Sequence, residues 1–333
     1  MPSPNRAPEF IPHPAIRQRH VMTIAAPLWP RRLSRALSPG QPRLFEVEPG
    51  TRILGKCHWQ ADREKAATML ILHGLEGSSE SHYVLGLTRK ALAAGMNVVR
   101  LNMRNCGGTA HMTPTLYNAG LSQDPLAVVR ELRAADHLDK IVLAGYSLGG
   151  NIVLKAAAEL GSGGRDTVAA VCGVSPALDL GPCVDELEKG FNRFYEQRFL
   201  VGLKEKLKEK QRLFPDLYET SGLHLVRSLR EFDDRYTAPC GGYGTAERYY
   251  RQASALPVLD RIRVPALIIQ ARDDPFVPFS SFTSPQLKSG YIELLDPEHG
   301  GHAAFIHKQA ETPPWLDRFW AENRAVTFCL ENL

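Results

Sequence analysis

Gly145-Tyr146-Ser147-Leu148-Gly149 sets one serine between two glycines. It follows the apolar run Ile141-Val142-Leu143-Ala144 and precedes the helix-like run Asn151-Ile152-Val153-Leu154-Lys155-Ala156-Ala157-Ala158. Strand, Gly-x-Ser-x-Gly, helix is the layout of a nucleophile elbow. So sharp a turn strains the serine backbone, and the glycines remove side chains that would strike the neighbouring strand and helix. Ser147 is therefore read as a nucleophile, with the backbone N–H of Leu148 aimed at the reacting carbonyl. A second near match, Gly173-Val174-Ser175-Pro176-Ala177, is rejected because Pro176 lacks the N–H that would serve as oxyanion donor.

A serine hydroxyl needs a base within hydrogen-bond reach, and the base needs a carboxylate to fix its tautomer. On a sheet of this kind the chain order is Ser, then Asp or Glu, then His. Both later slots are filled. Val264-Pro265-Ala266-Leu267-Ile268-Ile269-Gln270 leads into Ala271-Arg272-Asp273-Asp274-Pro275-Phe276-Val277-Pro278, and Gly290-Tyr291-Ile292-Glu293-Leu294-Leu295 leads toward His299-Gly300-Gly301-His302. Adjacent residues at a strand end point apart, so one aspartate faces the histidine. Asp274, ahead of the Val-Pro step, is chosen; Asp273 is read as a turn residue bonding nearby amides, and Asp179 is a further candidate. His302 is chosen over His299 because Gly300-Gly301 frees the backbone just before it. The second oxyanion donor is expected from the loop His73-Gly74-Leu75-Glu76-Gly77, as the N–H of Leu75. His73 is read as packed beneath that loop, and Glu76 is given no role.

These loops need a scaffold. A hairpin is expected over 43–48 and 52–59, strands over 68–72, 97–101, 140–144, 167–174, 264–270 and 291–295, and helices over 81–94, 122–135 (capped by Ser122) and 315–330. Short apolar strands alternating with helices imply a mostly parallel sheet covered on both faces. Residues 1–40 read as an irregular, proline-broken arm with a short helical piece over 31–37. From about 180 to 263 the rhythm turns helical, with Leu200, Leu203, Leu207 and Phe214 at helical spacing. The lysine-glutamate run over 204–210 is taken as its wet face. The expected domains are the arm (1–40), a core formed by 41–179 and 264–333, and a helical lid insertion (180–263).

The chain has 333 residues, 44% hydrophobic and 23% charged, with a net charge of +4. That suits a full globular core and is too weakly basic to argue for nucleic acid. The early arginines read as solvated surface, with anionic lipid headgroups as the alternative partner. No two of the six cysteines stand at C-x-x-C spacing, so neither a zinc site nor a redox motif is suggested, and a reducing cytoplasm is the expected setting. Prolines interrupt the first residues where a signal peptide would need an apolar run. The longest early apolar stretch, 21–29, is too short to span a bilayer.

Taken together these stretches resemble the α/β-hydrolase superfamily, and within it the YheT-like branch. The narrower likeness rests on His73 to Gly77, Met103-Arg104-Asn105-Cys106-Gly107-Gly108-Thr109, Leu116-Tyr117-Asn118-Ala119-Gly120 with Asp124, and Gly145 to Gly150. It continues through Phe232-Asp233-Asp234-Arg235-Tyr236-Thr237-Ala238-Pro239, Tyr249-Tyr250 with Ser254, Asp273-Asp274-Pro275, and His299 to His302. The resemblance runs from about residue 20 to the C-terminus. It implies an α/β-hydrolase fold and a carboxylesterase or lipid-ester hydrolase with Ser147, Asp274 and His302 as triad, no cofactor and no metal. The acyl group would be short to medium in length. Some relatives resemble acyltransferases, so acyl transfer to an alcohol is the alternative activity; a non-catalytic binding protein on the same fold is another. The chain departs from the branch at Asn118, where histidine is common, and His20-Val21-Met22-Thr23 matches an early motif only loosely. The N-terminal membrane helix of larger animal relatives is not read here.

Overall fold

A computed structural model describes residues 9–31, 37–313 and 315–333. Eight strands form one sheet in the order β1-β2-β4-β3-β5-β6-β7-β8. β1 (Gln41–Glu48) and β2 (Thr51–His58) pair as an antiparallel hairpin, and β2 also runs antiparallel to β4 (Asn97–Leu101). From β4 through β3 (Thr68–Leu72), β5 (Ile141–Tyr146), β6 (Ala170–Val174), β7 (Ala266–Ile269) and β8 (Ile292–Leu295) every neighbour is parallel. The fold is the expected α/β-hydrolase fold.

The central strands are buried on both faces because their residues alternate between two apolar layers. Leu70, Leu72 and Leu143 enter one layer; Met69, Ile71 and Val142 enter the other. The first layer is covered by α3 (Gln123–Asp136) and α4 (Leu148–Leu160). The second is covered by α2 (His82–Ala93), α10 (Trp320–Glu331) and α1 (Arg19–Ala25). Between β6 and β7 the described chain forms α5 (Leu180–Leu187) and α6 (Asn192–Leu213), then α7 (Leu229–Phe232), a π-turn into α8 (Ala238–Cys240), and α9 (Ala246–Ala253). No helix among the described residues is long and apolar enough to cross a membrane.

Several sequence expectations change. The N-terminal arm is not merely irregular: Phe10, Ile16, Met22 and Ala26 are buried in the second layer, and Gln18 caps α1 by accepting from the Val21 amide (2.8 Å). The helical piece expected over 31–37 falls largely on 32–36, outside the described residues. Ser122 precedes α3 without capping it, since its hydroxyl donates to Glu159 Oε2 (2.7 Å). The last helix begins at Trp320, not 315, because Phe319 is held in a β-bridge with Ile306 and its amide donates to Asp317 (2.9 Å). The charged run of α6 is only partly wet. Lys206 pairs with Glu76 (2.6 Å), and Lys210 is fully buried, donating to the Ala110 carbonyl (2.7 Å), with burial pulling its ammonium down to about 8.

Candidate active site

Parallel strands end on the same side, so the loops after β3, β5, β7 and β8 gather along one edge of the sheet. Ser147 follows β5 at φ 51°, ψ −116°, a conformation that costs a non-glycine residue about 1–3 kcal/mol. Its surroundings enforce the turn. A Cβ at Gly145 would lie 2.2 Å from the Gly149 carbonyl oxygen, and one at Gly149 would lie 2.3 Å from that of His73. Leu148 opens α4, so its N–H belongs to the donors that an α-helix leaves unpaired at its N-terminus.

The loop after β3 presses on this elbow, for a Cβ at Gly74 would stand 3.1 Å from Ser147 Cβ. His73 lies beneath it, fully buried. The Met103 amide donates to its Nε2 (3.1 Å), so the ring proton sits on Nδ1 and is donated to the Gly74 carbonyl (2.8 Å). Burial lowers its pKa to about 4 and keeps it neutral. Glu76 bends backward at φ 56°. Its carboxylate accepts from Tyr117 Oη (2.6 Å) and from Lys206 of α6 (2.6 Å), which ties the loop to the helices beyond β6.

His302 and Asp274 meet. His302 Nδ1 lies 3.1 and 2.9 Å from the two Asp274 oxygens. Asp274 Oδ1 also accepts from the amides of Phe276 (2.8 Å) and Val277 (3.1 Å). A carboxylate accepts, so Nδ1 carries the proton and Nε2 retains its lone pair. Asp273 turns to other partners: the Gly301 amide (3.0 Å) and His299 Nδ1 (3.3 Å), while His299 Nε2 accepts from Arg17 (2.8 Å). Asp179 stands at the N-terminus of α5, its carboxyl pKa raised by burial and by Asp185.

Three successive amides of the histidine loop end on side-chain oxygens: Gly301 on Asp273 (3.0 Å), His302 on Thr23 of α1 (2.9 Å) and Ala303 on Ser175 after β6 (2.9 Å). The loop needs such partners, since Gly301, Ala303 and Phe305 all have positive φ and leave regular pairing. Sequence reasoning missed Thr23 and Ser175 in this role. Ser175, rejected as a nucleophile, is itself strained at φ 46° and fully buried beneath the loop.

Ser147, Leu148, Gly74, Leu75 and His302 line one cavity of about 960 Å³. Its wall from α5 and α6 includes Leu180, Cys183, Val184, Leu187, Phe199 and Leu203. Such a lining suits a hydrocarbon chain. Cys183 does not compete as a nucleophile, because burial and the Asp274 charge hold its thiol protonated. Among the described residues no group of three or more His, Cys, Asp or Glu side chains is arranged to hold a metal.

The family model described as alpha/beta hydrolase fold matches residues 67–309. The chain is also 34% identical to the provisionally named esterase YheT of Escherichia coli (strain K12), over 93% of this chain and 94% of that one. The chain belongs to the α/β-hydrolase family. Within it, this hydrolase lies in the YheT-like branch. It is 28% identical to the phospholipase ABHD3 of Mus musculus over 74% of its own length, spanning 60% of that protein. The Pyrococcus furiosus esterase Pf2001 shares the fold at a TM-score of 0.57 and 16% identity, with 91% of this chain and 98% of that one covered. In this hydrolase, the helices between β6 and β7 and the short α1 bound the same cavity as the elbow.

Proposed function

We propose that the chain hydrolyses carboxylic esters of short- to medium-chain acyl groups through an acyl-enzyme. Ser147 attacks the ester carbonyl while His302 Nε2 takes its proton. Asp274 holds the imidazole tautomer and stabilises the imidazolium. The amides of Leu75 and Leu148 receive the oxyanion. His302 then passes the proton to the leaving alcohol, and water, activated by the same imidazole, releases the acid and restores the serine. The helices over 180–263 act as a lid whose apolar wall holds the acyl chain.

The observation that carries this reading is the His302 ring itself. Nδ1 is committed to Asp274, which leaves Nε2 basic in a cavity shared with a serine on a strained elbow. The relatives are named as esterases and lipases, which supports the reaction class. The test is covalent labelling by a fluorophosphonate, followed by hydrolysis of p-nitrophenyl esters of graded chain length. Labelling that disappears in Ser147→Ala, with the highest kcat/KM at intermediate chain lengths, is the expected result. Equal labelling of Ser147→Ala refutes the assignment, and transfer to added ethanol exceeding hydrolysis gives the chain to acyl transfer.

A further inference from the structure

Two stretches leave large apolar side chains in water beside the cavity. Val21 and Ile24 on α1 are 46% and 47% exposed, and Leu28 in the turn that follows is 83% exposed. At α6, Phe191, Phe194 and Val201 are 57%, 61% and 61% exposed. Their spacing of three and seven residues puts them along one side of that helix. The stretches adjoin, because the His20 ring meets Phe191 edge-on at 4.8 Å. Ile24, Phe191 and Phe194 also line the cavity, so this apolar surface borders its opening.

The charges carried by the same stretches have one sign. Residues 17–31 contain no carboxylate. Over 189–203 the only one is Glu196, which is buried and accepts from the Leu229 amide (2.9 Å). Arg19, Arg193 and Arg198 are exposed, and no close salt bridge among the described residues engages them. Scattered single apolar residues are ordinary on a surface, but a contiguous set around an opening marks an interaction face. Apolar side chains flanked by cations match a layer whose interior is hydrocarbon and whose surface is anionic.

We propose that the rim formed by α1, the turn after it and the outer face of α6 docks on an anionic lipid surface, with the cavity opening held against the headgroups. A folded protein seated there would seal the opening, whereas a lipid layer can pass an apolar ester through it. Only this last step, delivery of substrate, rests on the ester-hydrolase reading; the docking does not.

The test is co-sedimentation of the full chain with vesicles of phosphatidylcholine alone and of phosphatidylcholine mixed with phosphatidylglycerol. Binding to the mixed vesicles exceeds binding to the neutral ones and weakens with salt. The double variant Arg19→Gln, Arg193→Gln lowers partitioning onto mixed vesicles about 25-fold, from about fivefold per arginine near an anionic surface. The triple variant Val21→Asp, Leu28→Asp, Val201→Asp no longer sediments with either vesicle, yet hydrolyses dissolved p-nitrophenyl acetate like the wild type and keeps its melting temperature. Wild type that ignores the mixed vesicles, or a triple variant that binds them as well as the wild type, overturns the proposal. So does a dimer dissolved by the same substitutions, which would assign the face to a second copy of the chain. Failure of wild type to hydrolyse the soluble ester would count against the catalytic reading alone, because sedimentation does not depend on turnover.

Discussion

Asp273 and Asp274 are neighbours in sequence, and exchanging each for asparagine separates the carboxylate proposed for the triad from a supporting one. In Asp274→Asn the side-chain oxygen has two fixed donors to satisfy, the Phe276 and Val277 amides, which both end on Oδ1 at 2.8 and 3.1 Å. The new NH2 group is thereby driven to the Oδ2 position, 2.9 Å from His302 Nδ1. Two N–H groups cannot share that contact, and Oδ1, though 3.1 Å from Nδ1, is already occupied by the two amides. The imidazole must move its proton to Nε2, which can then no longer act as the base proposed for Ser147. Loss of the correct tautomer in serine triads costs about 10⁴ in kcat, or about 5.5 kcal/mol of transition-state stabilisation. In Asp273→Asn the side-chain oxygen keeps the Gly301 amide and forfeits a hydrogen bond to His299 at a partly exposed site. That loss is about 0.5–1.5 kcal/mol, no more than about tenfold in rate. The assay is steady-state hydrolysis of p-nitrophenyl butyrate, with circular dichroism and melting temperature as folding controls. Asp274→Asn within tenfold of wild type, or Asp273→Asn falling as far as Asp274→Asn is expected to fall, would refute the tautomer argument.

Two further outcomes follow from the same geometry. Thr23→Val keeps the side-chain shape and removes the acceptor of the His302 amide. We expect a melting temperature lowered by a few degrees, from about 1–3 kcal/mol for an amide left unpaired, and kcat reduced about tenfold or more with KM little changed; an unchanged kcat would show that α1 does not position the base. Asp233 lines the cavity and accepts from Tyr250 Oη (2.8 Å), and burial raises its carboxyl from 3.8 to about 6. The folded state then binds the proton more tightly than the unfolded chain, so this contribution to stability is complete below about pH 4 and is lost as pH rises through about 6, by at most about 3 kcal/mol. Urea unfolding of Asp233→Asn and wild type at about pH 4.5 and pH 7.5 measures it: the variant gains on wild type at the higher pH, and a pH-independent difference would contradict it.

The scaffold was legible because its signals are local. Runs such as Thr68–Leu72 and Ile141–Tyr146 are buried on both faces and therefore read as largely apolar strands, whose ends the loop chemistry could be attached to. The support around His302 was not legible, because its contacts are long-range. Thr23 reaches the His302 amide across 279 positions, from a helix of seven residues too short to show a period. Ser175 was weighed only as a nucleophile, and no local pattern reveals that its hydroxyl meets Ala303. The lysines of α6 follow the same logic. A charged run normally marks a wet face, yet Lys206 and Lys210 extend to Glu76 and to the Ala110 carbonyl, partners invisible from spacing.

The cradle under the histidine loop changes where the precision of the site resides. The bond from Asp274 fixes the ring's tautomer and tilt, but a ring can tilt correctly on a backbone that is misplaced, and a displacement of about 1 Å can cost about 10² in rate. The backbone is located by Asp273, Thr23 and Ser175 acting on consecutive amides. These acceptors come from the end of β7, the N-terminal helix and the end of β6, parts of the chain that meet only in the assembled fold. Each is worth about 1 kcal/mol to global stability, whereas its effect on the base is magnified by the distance dependence of proton transfer. Substitutions at Thr23 and Ser175 should therefore lower kcat by more than their stability cost predicts. The N-terminal arm is by this argument part of the positioning apparatus for His302 as well as a cover for the sheet.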